Sequence, residues 1–135
     1  MGPEEDLLRQ AKLALKAVSA PVFYDGHPHK EQYPQIILDL QNGQDEPEML
    51  HTAEVVKLTL SVDVYVDPTQ LGTLMKLNRE VVNAMRQVKC SKWFSMFDNY
   101  SGRNLNDEAN NGHSVKRGAF LFDYLVYSIP ERNDK

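Results

Sequence analysis

Val56, Leu58, Leu60, Val62, Val64 and Val66 occupy every second position of one stretch, with Lys57, Thr59, Ser61, Asp63, Tyr65 and Asp67 between them. A side-chain period of two sends alternate residues to opposite faces, so the stretch reads as one long strand with an apolar and a polar face. At about 3.3 Å per residue it reaches roughly 40 Å, more than the diameter of a compact domain of this size. Either it bends, or one end projects as an arm that pairs with another chain. The alternation breaks at Asp67-Pro68-Thr69-Gln70. There Asp67 suits a helix cap, Pro68 the first turn and Gln70 the partner position of a capping box. Leu71, Leu74, Met75, Val81, Val82, Met85 and Val88 follow at helical spacing. Strand, tight turn and amphipathic helix set the class as mixed α and β.

The rest of the chain supplies one further helix and more strands. Leu7, Leu8, Ala11, Leu15 and Val18 form an apolar stripe over residues 4–18, and Glu4, Glu5 and Asp6 favour the positive end of that helix dipole. Ala20-Pro21 ends the helix, Val22-Phe23-Tyr24 suits a short extended piece, and Asp25-Gly26-His27-Pro28 is turn chemistry. Tyr33-Pro34 leads into Gln35-Ile36-Ile37-Leu38-Asp39-Leu40, whose unbroken apolar character predicts a strand buried on both faces. Residues 41–47, with Asn42-Gly43, read as a polar loop, and Trp93-Phe94-Ser95-Met96-Phe97 reads as extended. Residues 98–118 are rich in Asn, Gly and Ser and show no period, which predicts a long loop of the functional or flexible kind.

The last strand, 119–129, carries Phe120, Phe122, Tyr124 and Val126 on one face and Leu121, Leu125, Tyr127 and Ile129 on the other. A strand apolar on both faces needs cover on both sides. Two helices supply that cover if they straddle the sheet; otherwise a neighbouring subunit covers part of it. The expected architecture is α+β, an antiparallel-rich mixed sheet of about four strands flanked by two helices. It forms a single domain over residues 1–135, with a polar tail at 130–135.

Composition narrows the function classes. A net charge of −4 and a pI near 5.5 give no electrostatic drive towards nucleic acid. Cys90 is the sole cysteine, which removes an internal disulfide framework and a thiolate metal site. No secretory leader and no 18-residue apolar run is present, so the expectation is a protein kept in the cytoplasm, away from membranes.

Catalytic signatures are missing. The seven glycines are scattered, with no phosphate loop, and no Gly-x-Ser-x-Gly, His-Glu-x-x-His or calcium-loop spacing occurs. His27 and His29 need a further ligand, such as Asp25, His51 or His113, before they hold a metal, and a solvated turn explains them more simply. Cys90 beside Arg86, Lys89 and Lys92 has the charges that activate a thiol, but a small residue at a helix end is the ordinary reading. Asp63 and Asp67, four apart on the outer strand face, read as a charged guard on an exposed surface. Lys116 and Arg117 close the 98–118 segment, where a partner surface or solvent would meet them. No cofactor, metal or catalytic residue is expected.

The order of elements resembles the small tail-completion and tail-terminator proteins of long-tailed bacteriophages. The resemblance rests on the N-terminal amphipathic helix and the Tyr33-Pro34-Gln35-Ile36-Ile37 strand. It continues through the Leu58-to-Asp67 strand with its helix, the Gly/Asn-rich segment and Phe122-Asp123-Tyr124-Leu125-Val126-Tyr127. It implies a non-enzymatic assembly protein that rings the head-proximal end of the tail tube, typically as a hexamer. Its partners would be other copies of itself, the tail tube protein and the head–tail connector or neck proteins, with DNA only passing through the lumen. It would work in the host cytoplasm during assembly and then in the virion neck. On that reading Tyr65, Asp63, Asp67, Arg103, Lys116 and Arg117 are the candidate interface residues, the segment 98–118 ordering on docking. Two alternatives are a head-completion neck adaptor and, in a different class, a small cytoplasmic α/β enzyme or ligand-binding domain.

Overall fold

The computed structural model describes residues 2–23, 33–45, 55–108 and 114–127. Helix α1 spans Pro3–Leu15 and α2 spans Leu71–Met85; strands β1 (Val22–Phe23), β2 (Gln35–Asp45), β3 (Val55–Val66), β4 (Phe94–Glu108) and β5 (Ser114–Tyr127) form one sheet. Its order is β1-β2-β3-β5-β4, with β1 parallel to β2 and every other pair antiparallel. The fold is therefore α+β, with a fifth, two-residue strand beside the four expected. Because β5 lies between β3 and β4, the segment β3-α2-β4 is a split crossover with the closing strand inserted into it.

Strand β3 is the central strand and not a projecting arm. It pairs with β2 from Val56 to Tyr65 and with β5 from Val55 to Val66. The β2–β3 ladder carries a bulge at Leu40/Asn42 and the β4–β5 ladder one at Phe97/Asn99, while the β3–β5 ladder runs unbroken. Two stretches read as loops are strand instead. Residues 41–45 continue β2, while 98–108 and 114–118 extend β4 and β5 into a long hairpin. The cis Tyr33–Pro34 bond immediately precedes β2.

Both helices pack on the same face of the sheet. Leu7, Ala11 and Leu15 of α1 and Leu74, Leu77, Val81 and Met85 of α2 share one cluster with Leu58, Leu60, Val62, Val64 and Val66 of β3. Ile36 and Leu38 of β2 and Phe120, Phe122, Tyr124 and Val126 of β5 complete it. The helices therefore do not straddle the sheet. Within α2 the apolar period splits: Leu77 joins the buried side, whereas Leu71 and Met75 are half exposed. The turn before α2 also differs from expectation. The helix starts at Leu71, so Pro68 lies in the turn, closed by a Gln70 N–H to Asp67 carbonyl bond of 2.9 Å. The Gln70 side chain reaches back to the Asp67 N–H at 3.1 Å, the reciprocal half of a capping box.

Asp6 does more than favour the α1 dipole. Fully buried, its carboxylate accepts hydrogen bonds from the Ser91 N–H (3.0 Å), the Ser91 hydroxyl (3.0 Å) and the Lys92 N–H (2.8 Å). It thus ties the segment between α2 and β4 to the first turn of α1. Tyr124 donates to the Met85 carbonyl at 2.8 Å, satisfying a backbone acceptor at the end of α2 from within the core.

Candidate functional site

Register decides which side chains share the face that the helices leave bare. Cross-strand partners point the same way, so Tyr65 and Arg117, Asp63, Ala119 and Arg103, and Leu121 and Ser101 fall in successive rows on that face. The sequence candidates Asp63, Tyr65, Arg103 and Arg117 are thereby brought together. Arg117 Nε donates to Asp63 Oδ1 at 3.0 Å, and its guanidinium lies 5.7 Å from the centre of the Tyr65 ring. A cleft of about 410 Å³ opens here, lined by Asp63, Arg103, Arg117, Ser61, Ser101 and Leu121 among others.

The candidates are not equivalent. Tyr65 is 7 % exposed and packs with Ile37 and Val115 in a small second cluster, so its polar-face position does not make it a free contact. Asp67 sits half-buried at the end of β3, near Tyr33; burial first, and then the Asp67 charge, raise the Tyr33 hydroxyl above its ordinary pKa. Lys116 belongs to the opposite face, where its ammonium donates to Asn106 Oδ1 at 3.0 Å.

The surface that the sequence candidates miss is apolar. Phe94 is 66 % exposed, Met96 43 % and Leu121 42 %, and all three stand on the bare face with Leu125 and Tyr127. The Phe94 and Tyr127 rings are 5.1 Å apart. The signals for this strip were the two-sided apolar pattern of β5 and the extended stretch Phe94–Phe97; what was hidden was that the two pair, because the Asn- and Gly-rich continuation of β4 shows no period.

Nothing among the described residues assembles reactive chemistry. No group of three or more His, Cys, Asp or Glu side chains could hold a metal ion among them. The His27, His29, Asp25, His51 and His113 set lies outside the described residues. Burial pushes the Cys90 thiol up to about 11, which outweighs the hydrogen bond with Ser95 and is reinforced by the Asp6 charge; the nearby lysines do not activate it. Arg86 lies over the rings of Tyr100 and Phe97, at 5.5 and 5.8 Å from their centres. No described helix is long and apolar enough to cross a membrane. The arrangement offers surfaces for binding and no described constellation for bond-making.

No family model and no curated protein sequence matches the chain. Solved structures do: one is a chain in the virion of a native gene transfer agent particle, at 14 % identity and a TM-score of 0.54. The match covers 93 % of this chain and 95 % of that one, so the likeness is one of fold, carried from end to end.

Proposed function

We propose that the chain is a structural protein of a phage-like virion that caps the head-proximal end of the tail tube and helps join tail to head. The observation that carries this reading is the end-to-end fold likeness to a chain of a gene transfer agent virion. The element order that resembles tail-terminator proteins supports the finer role. So does a sheet whose apolar outer strip, Phe94, Met96 and Leu121, is left to solvent in the single chain.

The mechanism is interface capping. Copies of the chain, six in the arrangement the resemblance implies, form a ring by a repeated head-to-tail contact. One side of the ring covers the unpaired surface of the last tube layer, and the other presents a new surface to the neck, so the stack stops growing. An acidic chain in that ring lines a passage for DNA without gripping it. Asp63, Arg103 and Arg117 on the bare face supply the polar part of one contact, with Tyr65 packed beneath Arg117, while Asp67 at the end of β3 and Lys116 on the opposite face are left to a second. No step requires catalysis, a metal or a cofactor.

The test is electron microscopy of lysates made with this gene deleted from the phage or prophage that carries it. Full heads beside tails of irregular length are expected. Unattached tails of normal length would move the protein to the neck-adaptor role, and intact virions would overturn both readings.

A further inference from the structure

A second surface lies on the helix side of the sheet, and it does not depend on the virion reading. Helix α2 sits over β3 and β5, and β4 runs beyond it as the edge strand. The flank of α2 that overlooks β4 carries Asn78, Arg79, Val82 and Arg86; facing it on β4 are Tyr100, Gly102 and Asn104. Between them is a groove of about 370 Å³ with Tyr100 and Phe120 in its lining. Gly102 makes this possible: a Cβ there would run into the Phe120 ring, so the ring lies across the bare backbone. Tyr100 stacks on Phe122 at 5.5 Å between centres and remains 38 % exposed.

The charge and the exposed rings of the groove point to an occupant. Its rim is cationic, with Arg79 on α2, Arg86 held over the aromatic rings, and Arg103 of the edge strand lining both this groove and the bare-face cleft. Among the described residues none of these three arginines has an ion pair, although the chain as a whole is acidic. At the groove wall, Asn78 donates through Nδ2 to Asn104 Oδ1 at 3.0 Å and turns its own Oδ1 inward against Gly118, so the wall is held by the fold itself.

We infer that this groove docks an acidic segment of another protein, which inserts an apolar side chain against Tyr100 and Phe120 and sets its carboxylates against Arg79, Arg86 and Arg103. The half-exposed Leu71 and Met75 on the same side of α2 extend the apolar track for a longer segment.

Fluorescence anisotropy tests the inference with two labelled amphipathic peptides. Both carry leucines at helical spacing; one has glutamate and the other lysine at the remaining positions. The expected result is saturable binding of the glutamate peptide, weakening with salt, at least about tenfold tighter than the lysine peptide. An Arg79→Glu/Arg103→Glu variant, shown by circular dichroism to be folded, should lose that preference, and Val82→Asp should weaken the peptide with its charges intact. Equal binding of the two peptides, no saturable binding, or an unaltered preference in the folded double variant would overturn it. So would sedimentation showing that the groove already holds a second copy, which the double variant releases. Each outcome is read on the purified chain, so failure here leaves the tail-capping reading untouched, and the reverse.

Discussion

Asp6 is a buried carboxylate whose surroundings pull its pKa in opposite directions. Burial alone would raise its pKa, yet the Ser91 and Lys92 N–H groups, the Ser91 hydroxyl and the Lys92 charge outweigh it and leave the pKa below the ordinary 3.8. A carboxyl lowered by folding adds stability that is fully present above its unfolded pKa and is lost as the pH falls through its folded one. Asp6→Asn should therefore destabilise the protein by about 1–3 kcal/mol at neutral pH in urea unfolding, because it leaves buried donors mispaired. The gap to wild type should narrow as the pH drops below 3.8; a gap constant into acid would mean the charge does not matter. Cys90 makes a second residue-scale case. With its thiol pushed up to about 11, it should react slowly with a disulfide reagent at pH 8 and at full speed once unfolded. Neither environment was legible in the sequence. Asp6 looked like a dipole partner because the segment that binds it lies 85 and more positions along the chain, and Cys90 looked like a neighbour of lysines because the burial that governs it, with the Asp6 charge behind it, is set by the fold.

At the scale of elements, what could be read was whatever carried its own period. The β3 alternation and the stripes of both helices were visible because their buried halves face one core. The start of β4 was read as extended at Phe94–Phe97, but its continuation from Asp98 was invisible because most of its side chains are exposed and its Asn, Ser and Gly residues are poor strand formers. Its partner imposes the strand: Phe97 meets Tyr124, and Tyr100 meets Phe120 and Phe122 across the ladder. The exposed Leu71 and Met75 teach the complementary lesson, since helical spacing marks a side as apolar without saying which chain covers it. Two glycines differ for the same reason. Gly118→Ala drives a Cβ into Asn78 of α2, and Gly102→Ala drives one into Phe120. Each should cost about 1–3 kcal/mol through overpacking. Gly72 in α2 has nothing within 4 Å of an added Cβ, so Gly72→Ala should stabilise by up to about 1 kcal/mol. Thermal unfolding of the three variants checks the contrast, and similar losses in all three would refute it.

For the whole molecule, one arrangement follows from where the helices went. With α1 and α2 on one face, the other face of β4 and β5 carries Phe94, Met96, Leu121, Leu125 and Tyr127 without a covering element among the described residues. That strip was half legible: the two-sided apolar pattern of β5 demanded cover, but no period assigned the cover to a helix or to another subunit. If assembly uses this face, its apolar residues contribute little to the folded monomer and much to the ring. Phe94→Ser/Leu121→Ser should then change unfolding free energy by only about 0.5 kcal/mol, the range of ordinary surface substitutions. The same pair should abolish oligomers in sedimentation velocity and, on the tail-capping reading proposed above, leave tails of irregular length. The opposite pattern, a much less stable monomer that still assembles, would show that the strip packs within one chain and that the ring contact lies elsewhere. Because neither Phe94 nor Leu121 lines the groove beside α2, the double variant should keep its preference for the glutamate peptide, which separates the apolar strip from the groove in one protein.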